Sequence, residues 1–257
     1  MKLSPRIHLV ASGDTGFRLT SRFDCNVYLL DGKTELALID AGCGMEPERI
    51  VRQIESSGLD IQKLKTVLLT HAHGDHAGGA FFWHKKYSAQ IFCAGEARPW
   101  IESGDLEKTS LAPAIKAGIY PPDCRMAPCP IARELQGGDE IRIGDLTLGV
   151  LPTPGHARGH IAFVLDNEPG ENHAQNSGGR ALFGGDLIFA GGRISLINTW
   201  DCSIPEYAES IARLHPLKIE RLFSGHGAAL LADARRDIER AHAHFLRLGV
   251  PPTLAGG

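Results

Sequence analysis

No stretch of this chain is apolar for the roughly 20 residues that a membrane-spanning helix takes, which excludes a helical span. The opening residues Met1-Lys2-Leu3-Ser4-Pro5-Arg6 offer no apolar core for an export signal, because Arg6 and His8 interrupt it, so the expectation is a soluble, cytoplasmic protein. Long basic runs are missing too. Thirty acidic residues against 27 basic ones give a formal net charge of −3, which argues against nucleic acid as a partner and leaves a small-molecule substrate. Cysteine is scarce and scattered: Cys25, Cys43, Cys93, Cys124, Cys129 and Cys202 form no disulfide framework and read as reduced, mostly buried thiols. Cys124 and Cys129 bracket Arg125-Met126-Ala127-Pro128, too loose a spacing for a zinc pair with no partner pair nearby.

What is present suffices for a sizeable core. A chain of 257 residues, 43% hydrophobic, fits one large domain or two closely packed halves. Apolar segments at 23–30 and 35–39 flank Asp31-Gly32, a hairpin turn signal. Residues 46–57 read as a helix, with Pro47 in the first turn, Ile50, Val51 and Ile54 on one face and Gly58 at the end. Val67 to Leu69 is the next strand. Residues 80–87 form a helix whose Phe81, Phe82 and Trp83 are read as core packing, and Ile91 to Cys93 is a strand, so the order alternates as in an α/β layer.

Pro99, Pro113, Pro121, Pro122, Pro128 and Pro130 break that rhythm between 97 and 133, where Leu111 to Ala117 is at most a short helix. Strands return at 140–143 and 146–151, joined by Gly144-Asp145, and again at 161–165, 181–183 and 221–223. Residues 166–180, with Gly170, Gly178 and Gly179, read as a polar surface loop. Helices are expected at 205–214 and 233–248, the second with Ile238, Phe245 and Leu248 inward.

The chemistry concentrates in Thr70-His71-Ala72-His73-Gly74-Asp75-His76-Ala77-Gly78-Gly79, directly after Val67-Leu68-Leu69. A buried strand that stops at such a cluster presents it on a loop. Neutral imidazole and carboxylate are the donors that zinc and its first-row neighbours prefer. His71 and His73 can both turn from a loop toward one ion, while Asp75 and His76 offer a second pair at the start of the next helix. Four donors this close exceed the needs of one tetrahedral site that stays open to substrate. The simplest reading is two metals side by side.

The pattern HxHxDH resembles the signature of the metallo-β-lactamase superfamily of hydrolases. Four more motifs stand in the family's order: Ile39-Asp40-Ala41-Gly42 upstream, then Thr153-Pro154-Gly155-His156, Gly184-Gly185-Asp186 and Ser224-Gly225-His226-Gly227. The resemblance implies an α/β fold of the αββα sandwich kind, two packed mixed β-sheets flanked by helices. It implies a single domain over residues 1–257, with the proline-rich insertion at about 97–133 near the substrate pocket. It also implies that His71, His73 and His156 hold one metal, Asp75, His76 and His226 the other, and that Asp186 bridges them. Two zinc ions, with iron or manganese as alternatives, would then share a hydroxide that attacks a carbonyl.

Asp75 is the candidate to pass a proton to the leaving group. Asp40 is assigned to orienting a ligand histidine or the motif loop, and His160 either to a supporting or pocket role or to plain packing. Trp100, Ile119 and Tyr120 in the insertion, together with Phe189, are candidates for the substrate wall. His242 and His244, two apart on a helix, face apart and are not read as a metal pair. His8, His84, His173 and His215 carry no pattern and read as surface or capping groups.

The family's branches differ at these positions. Zinc β-lactamases generally have Cys or Ser where the bridging aspartate stands, and are exported. Flavin-coupled diiron oxidoreductases replace the second histidine with Glu and append a flavin domain. Nucleic-acid-cutting members carry cap or RNA-binding elements, and monoiron sulfur dioxygenases lack the second site that His76 and His226 complete. What remains resembles the hydroxyacylglutathione hydrolases (glyoxalase II) and the N-acyl-homoserine lactone lactonases. Gly185-Asp186-Leu187-Ile188-Phe189 with Gly191-Gly192-Arg193 is similar to the thioesterase version, whereas certain lactonases have Tyr at the place of Phe189. The thioesterases' basic C-terminal glutathione-binding segment has no evident counterpart, which favours a different acyl group. The expectation is a dinuclear hydrolase of a thioester, ester or lactone. An N-acyl-homoserine lactone lactonase is the alternative, and a β-lactamase or a non-catalytic metal-binding module stands behind it. A non-catalytic module would have lost ligands, and none is lost.

Overall fold

The computed structural model describes residues 1–166, 168 and 179–254. Most of the loop expected at 166–180, His173 included, lies outside the described residues. The chain divides into two compact units, Met1–Leu135 with Ile143–Asp145, and Gln136–Arg142 with Leu146–Gly257.

The first unit is built on a six-stranded mixed sheet whose strands follow chain order: β1 (Ile7–Ala11), β2 (Val27–Asp31), β3 (Leu36–Ile39), β4 (Leu64–Leu68), β5 (Gln90–Ala94) and β6 (Arg133–Leu135). β1 to β3 are antiparallel neighbours, with Asp31 opposite Leu36 at the hairpin, and β3 to β6 run parallel. Parallel neighbours need crossovers, which α1 (Pro47–Ser56) and α3 (Ala80–Tyr87) help to supply. α1 buries Ile50, Val51 and Ile54 on one stripe, each contributing about 1.5–3 kcal/mol. Trp83 of α3 is fully buried in the core, with Phe81 and Phe82 packed against it.

Two strands escaped the sequence reading. β1 carries His8 and follows Arg6, yet both are buried, which corrects the surface reading of His8. The first residues fold back along β1, with Leu9 N–H donating to Met1 O at 2.8 Å. Arg6 reaches Asp31 O through Nε and the Asp145 carboxylate through its terminal nitrogens. β6 is three residues long, two of them exposed, so it carries little pattern.

The proline-rich segment holds α4 (Arg98–Ser103) and α5 (Leu111–Lys116). Ile101, Leu111, Cys124, Met126, Cys129 and Ile131 are buried in the first unit's core. It therefore covers the core of that unit. The cysteines, all among the described residues, are free thiols, and only Cys202 is partly exposed.

Among the described residues, the second unit holds a five-stranded mixed sheet in the order β11-β10-β9-β8-β7. Its strands are β7 (Glu140–Ile143), β8 (Leu146–Pro152), β9 (Ile161–Leu165), β10 (Arg180–Gly185) and β11 (Ile219–Ser224). β8, β9 and β10 are antiparallel neighbours, and β10 and β11 are parallel, joined across α6 (Ile204–Leu214). α7 (Ala234–Leu246) lies on β11 and α6, burying Ala234, Ile238 and Ala241. Phe245 is partly buried against the same core. Leu248, expected inward, is 99% exposed. The helix stops at Leu246, and Leu248 takes a left-handed φ of 59° that swings it off the buried face. Among the described residues no helix is long and apolar enough to cross a membrane.

Candidate metal centre

β3 and β4 are parallel neighbours, so Asp40 and the loop after Leu68 leave the sheet at the same carboxyl edge, the place where open α/β sheets put their ligands. Asp40 is tied to β4 by its own N–H, which donates to Leu68 O at 2.9 Å. Its buried carboxylate accepts Thr70 N–H at 2.8 Å, the Thr70 hydroxyl at 3.0 Å and His76 Nδ1–H at 2.8 Å. The Thr70 hydroxyl gives its proton to Asp40, so its oxygen accepts His71 Nδ1–H at 3.0 Å. One carboxylate thus sets two imidazoles in the same tautomer, with the proton on Nδ1 and a lone pair on Nε2.

The rings these bonds fix are close together. His71 lies 4.6 Å from His73 and 4.1 Å from His76 between ring centroids. All three are buried, while Asp75 is partly exposed with Oδ2 3.5 Å from His76 Nε2. Cys25 Sγ, an Asp40 oxygen and a His76 ring nitrogen lie within 4.8 Å of one another. Burial pushes the Cys25 thiol pKa up, so it packs behind His76 as a neutral group.

The end of the motif is shaped by close backbone approach. His76 O accepts Ala41 N–H at 2.7 Å and Gly79 N–H donates to Gly42 O at 2.8 Å. A Cβ at Gly79 would stand 2.2 Å from Ala41 O, so no side chain fits there. Trp83 Nε1–H closes on the same Ala41 carbonyl at 3.0 Å.

The second unit brings together a second donor set. β10 delivers Asp186 and its parallel neighbour β11 delivers His226, with Gly225 N–H donating to Gly185 O at 2.7 Å. Asp186 Oδ2 lies 3.5 Å from His156 Nε2 and 3.4 Å from His226 Nε2. His156 Nδ1–H donates to Ser195 O at 2.9 Å, which again leaves the lone pair on Nε2. His160 Nε2 accepts Asp186 N–H at 3.2 Å, so His160 donates from Nδ1 to Thr153 Oγ1 at 2.8 Å. His160 supports the carboxylate residue from behind.

This donor set fits a metal. Bonds of about 2.0–2.1 Å to a tetrahedral ion separate neighbouring ligand atoms by about 3.3–3.4 Å, close to the spacings around Asp186. The His156 lone pair and the Asp186 carboxylate, facing each other at that distance, repel unless positive charge lies between them. Hard and borderline N/O donors of this kind suit zinc, iron or manganese.

The other candidates are placed as follows. Trp100 and Tyr120 are partly buried against the first unit's core. The Tyr120 ring lies 5.3 Å from that of Phe23, and burial followed by the charge of Asp75 raises its hydroxyl pKa well above the usual range. Ile119 is exposed, and Phe189 is buried and stacked on His226 at 6.3 Å. His242 pairs with His215, 4.5 Å away between rings. Thr70, Thr153 and Ser195, which hold the histidines, were not singled out in the sequence. The two threonines open their motifs and so gave some signal, but Ser195 acts through its backbone carbonyl and gave none.

The model of the metallo-beta-lactamase superfamily matches residues 20–170, more than half of the chain. The chain belongs to the metallo-β-lactamase superfamily. Within it, the chain is 30% identical over 165 residues to a hydroxyacylglutathione hydrolase of Rhodopseudomonas palustris, covering 64% of this chain and 49% of that one. It is 27% identical over 240 residues to a lactamase-like protein of Emericella nidulans, covering 91% and 61%. The chain thus spans about half the length of the hydroxyacylglutathione hydrolases it matches. A solved subclass B3 metallo-β-lactamase of Bradyrhizobium japonicum superposes with a TM-score of 0.71 at 20% identity, over 96% of this chain and 91% of that one. A metallo-β-lactamase family protein of Thermus thermophilus gives 0.67 at 27% identity, over 96% and 81%. The fold is theirs: two mixed sheets with helices, as the sequence motifs implied.

Proposed function

We propose that this superfamily member is a metal-dependent hydrolase that opens a thioester, ester or simple lactone with a pair of metal ions. The observation that carries the reading is Asp186, whose carboxylate faces two imidazole nitrogens at 3.4 and 3.5 Å. His71, His73 and His156 are assigned to one ion, Asp75, His76 and His226 to the other, and Asp186 to both. Zinc is the first choice, with iron or manganese as alternatives. When bound, such a pair supplies a water ionised near neutral pH and a Lewis acid for the carbonyl oxygen.

The chain's own residues do the rest. Asp40, Thr70 and Ser195 engage Nδ1 of three imidazoles, which turns Nε2 of each toward the donors. Asp75, the partly exposed carboxylate of the set, can accept a proton at Oδ and return it to a departing oxygen. A thiolate leaves with little help, an alkoxide needs that proton, and a β-lactam nitrogen is the poorest leaving group. Superfamily β-lactamases generally carry Cys or Ser where Asp186 stands, which also favours the thioester, ester and lactone reading. The relatives named hydroxyacylglutathione hydrolase support the thioester.

The test is kcat/KM on a thioester, a lactone and a cephalosporin with one metal-loaded preparation. The thioester or the lactone is expected to lead by about tenfold or more, which is about 1.4 kcal/mol of transition-state stabilisation. A cephalosporin leading by that margin would overturn the assignment.

A further inference from the structure

Three of the second unit's segments that carry donors or their supports converge on α6: the loop 153–156, the end of β10, and the stretch at Ser195. We propose that Tyr207 of α6 is the positioning residue that locks His156 and Asp186 in their donating geometry, an inference that rests on the metal-dependent reading above. Tyr207 is fully buried. Its hydroxyl lies 2.8 Å from Asp186 O and 2.9 Å from Ser195 O, and accepts Ser195 N–H at 3.2 Å. Its one proton is shared between two carbonyls. Ser195 O is also the acceptor for His156 Nδ1–H at 2.9 Å. One phenol therefore fixes the backbone of the carboxylate residue and the carbonyl that sets the tautomer and rotation of the histidine.

The histidine motif brings the helix to that distance. Ser203 N–H donates to Gly155 O at 2.7 Å, and the Ser210 hydroxyl donates to Pro154 O at 2.6 Å. Gly155 has φ +141°, and a Cβ there would stand 2.7 Å from Tyr207 Cα and N. The glycine of Thr153-Pro154-Gly155-His156 is thus the residue that lets α6 approach closely enough for its tyrosine to reach the donors. The competing explanation is that Tyr207 only fills the core. A phenylalanine would do that equally well, so the two explanations part at the hydroxyl.

Tyr207→Phe keeps the ring and removes the hydroxyl. Zinc affinity is read by competition with a chromophoric chelator, ligand geometry by the absorption bands of the cobalt(II) form, and folding by the thermal midpoint of the metal-free protein. Leu214→Ala, a buried change on the same helix away from the donors, serves as the control for general loosening. Tyr207→Phe is expected to lose about 10- to 100-fold in zinc affinity, with shifted cobalt bands and a lowered kcat at little changed KM. Leu214→Ala is expected to lower the midpoint at least as far while keeping wild-type zinc affinity. Unchanged affinity and cobalt bands in Tyr207→Phe would overturn the proposal, and so would an equal loss of affinity in Leu214→Ala. A wild-type protein that takes up neither zinc nor cobalt would overturn the metal-dependent reading, and this inference with it, before any variant is compared.

Discussion

Asp40 shows how much one buried carboxylate can organise. It holds the Thr70 backbone, the Thr70 hydroxyl and His76 Nδ1 at 2.8–3.0 Å, and through Thr70 it reaches His71. Asp40→Asn keeps the shape but offers one acceptor oxygen and an unwanted donor, so zinc affinity or turnover is expected to fall about 10- to 100-fold. Chelator competition and steady-state kinetics measure this, and an unchanged variant would remove Asp40 from the account. Asp186→Asn removes the charge assigned to both ions. Turnover is expected to fall by at least the roughly 10²–10³-fold that deletion of one transition-state donor costs, with a near-wild-type thermal midpoint for the metal-free protein. Near-wild-type turnover would mean that Asp186 does not bridge. Away from the site, the buried Arg6 guanidinium and Lys33 hold the Asp145 pKa down from 3.8 to about 2. The unfolded chain binds that proton more readily, so the pair stabilises fully above about pH 4, and the gain is lost as the pH falls through about 2. The midpoint of Asp145→Asn is expected below that of wild type at pH 7, a gap that should narrow steadily below pH 4. A gap independent of pH would assign the effect to packing.

Elements carry the residues to the site, and backbone approach sets their spacing. Gly79→Ala puts a Cβ 2.2 Å from Ala41 O, so the loop at 40–44 or the motif helix must move. Gly58 has a left-handed φ of +77° with open space around it, so Gly58→Ala should cost only the strain of that conformation, about 1–2 kcal/mol. The expected contrast is that Gly79→Ala loses metal affinity while Gly58→Ala loses stability alone. Equal metal affinity in both would sink the close-approach argument. The same elements show what a sequence can disclose. α1, α3 and β9 could be read because their apolar spacing, proline start or clean apolar run reflects the face they bury. β1 could not, because His8 and its neighbour Arg6 look exposed until Asp31 and Asp145 are seen to satisfy the guanidinium. Leu248 was misplaced because helical periodicity says which face is apolar and not where the helix ends. The histidines and carboxylates could be named because their side chains do the chemistry. Ser195 could not, since it works through a backbone carbonyl that any residue possesses, and Tyr207 could not, since its hydroxyl bonds the backbone of distant residues and leaves no motif.

At the scale of the whole molecule, each unit carries its own group of donors, His71, His73, Asp75 and His76 in the first and His156, Asp186 and His226 in the second. Each set is built at the carboxyl edge of parallel strands, β3 and β4 in one case and β10 and β11 in the other. Each is held from behind by partners that put the imidazole proton on Nδ1. The most direct measurement is the metal content of the full chain, stripped with chelator and titrated with zinc, read by elemental analysis and calorimetry. Two equivalents per chain are expected for the wild type, falling toward one in His226→Ala, which removes a donor from one ion only. A firm limit of one equivalent in the wild type, unmoved by added zinc, would contradict the metal pair.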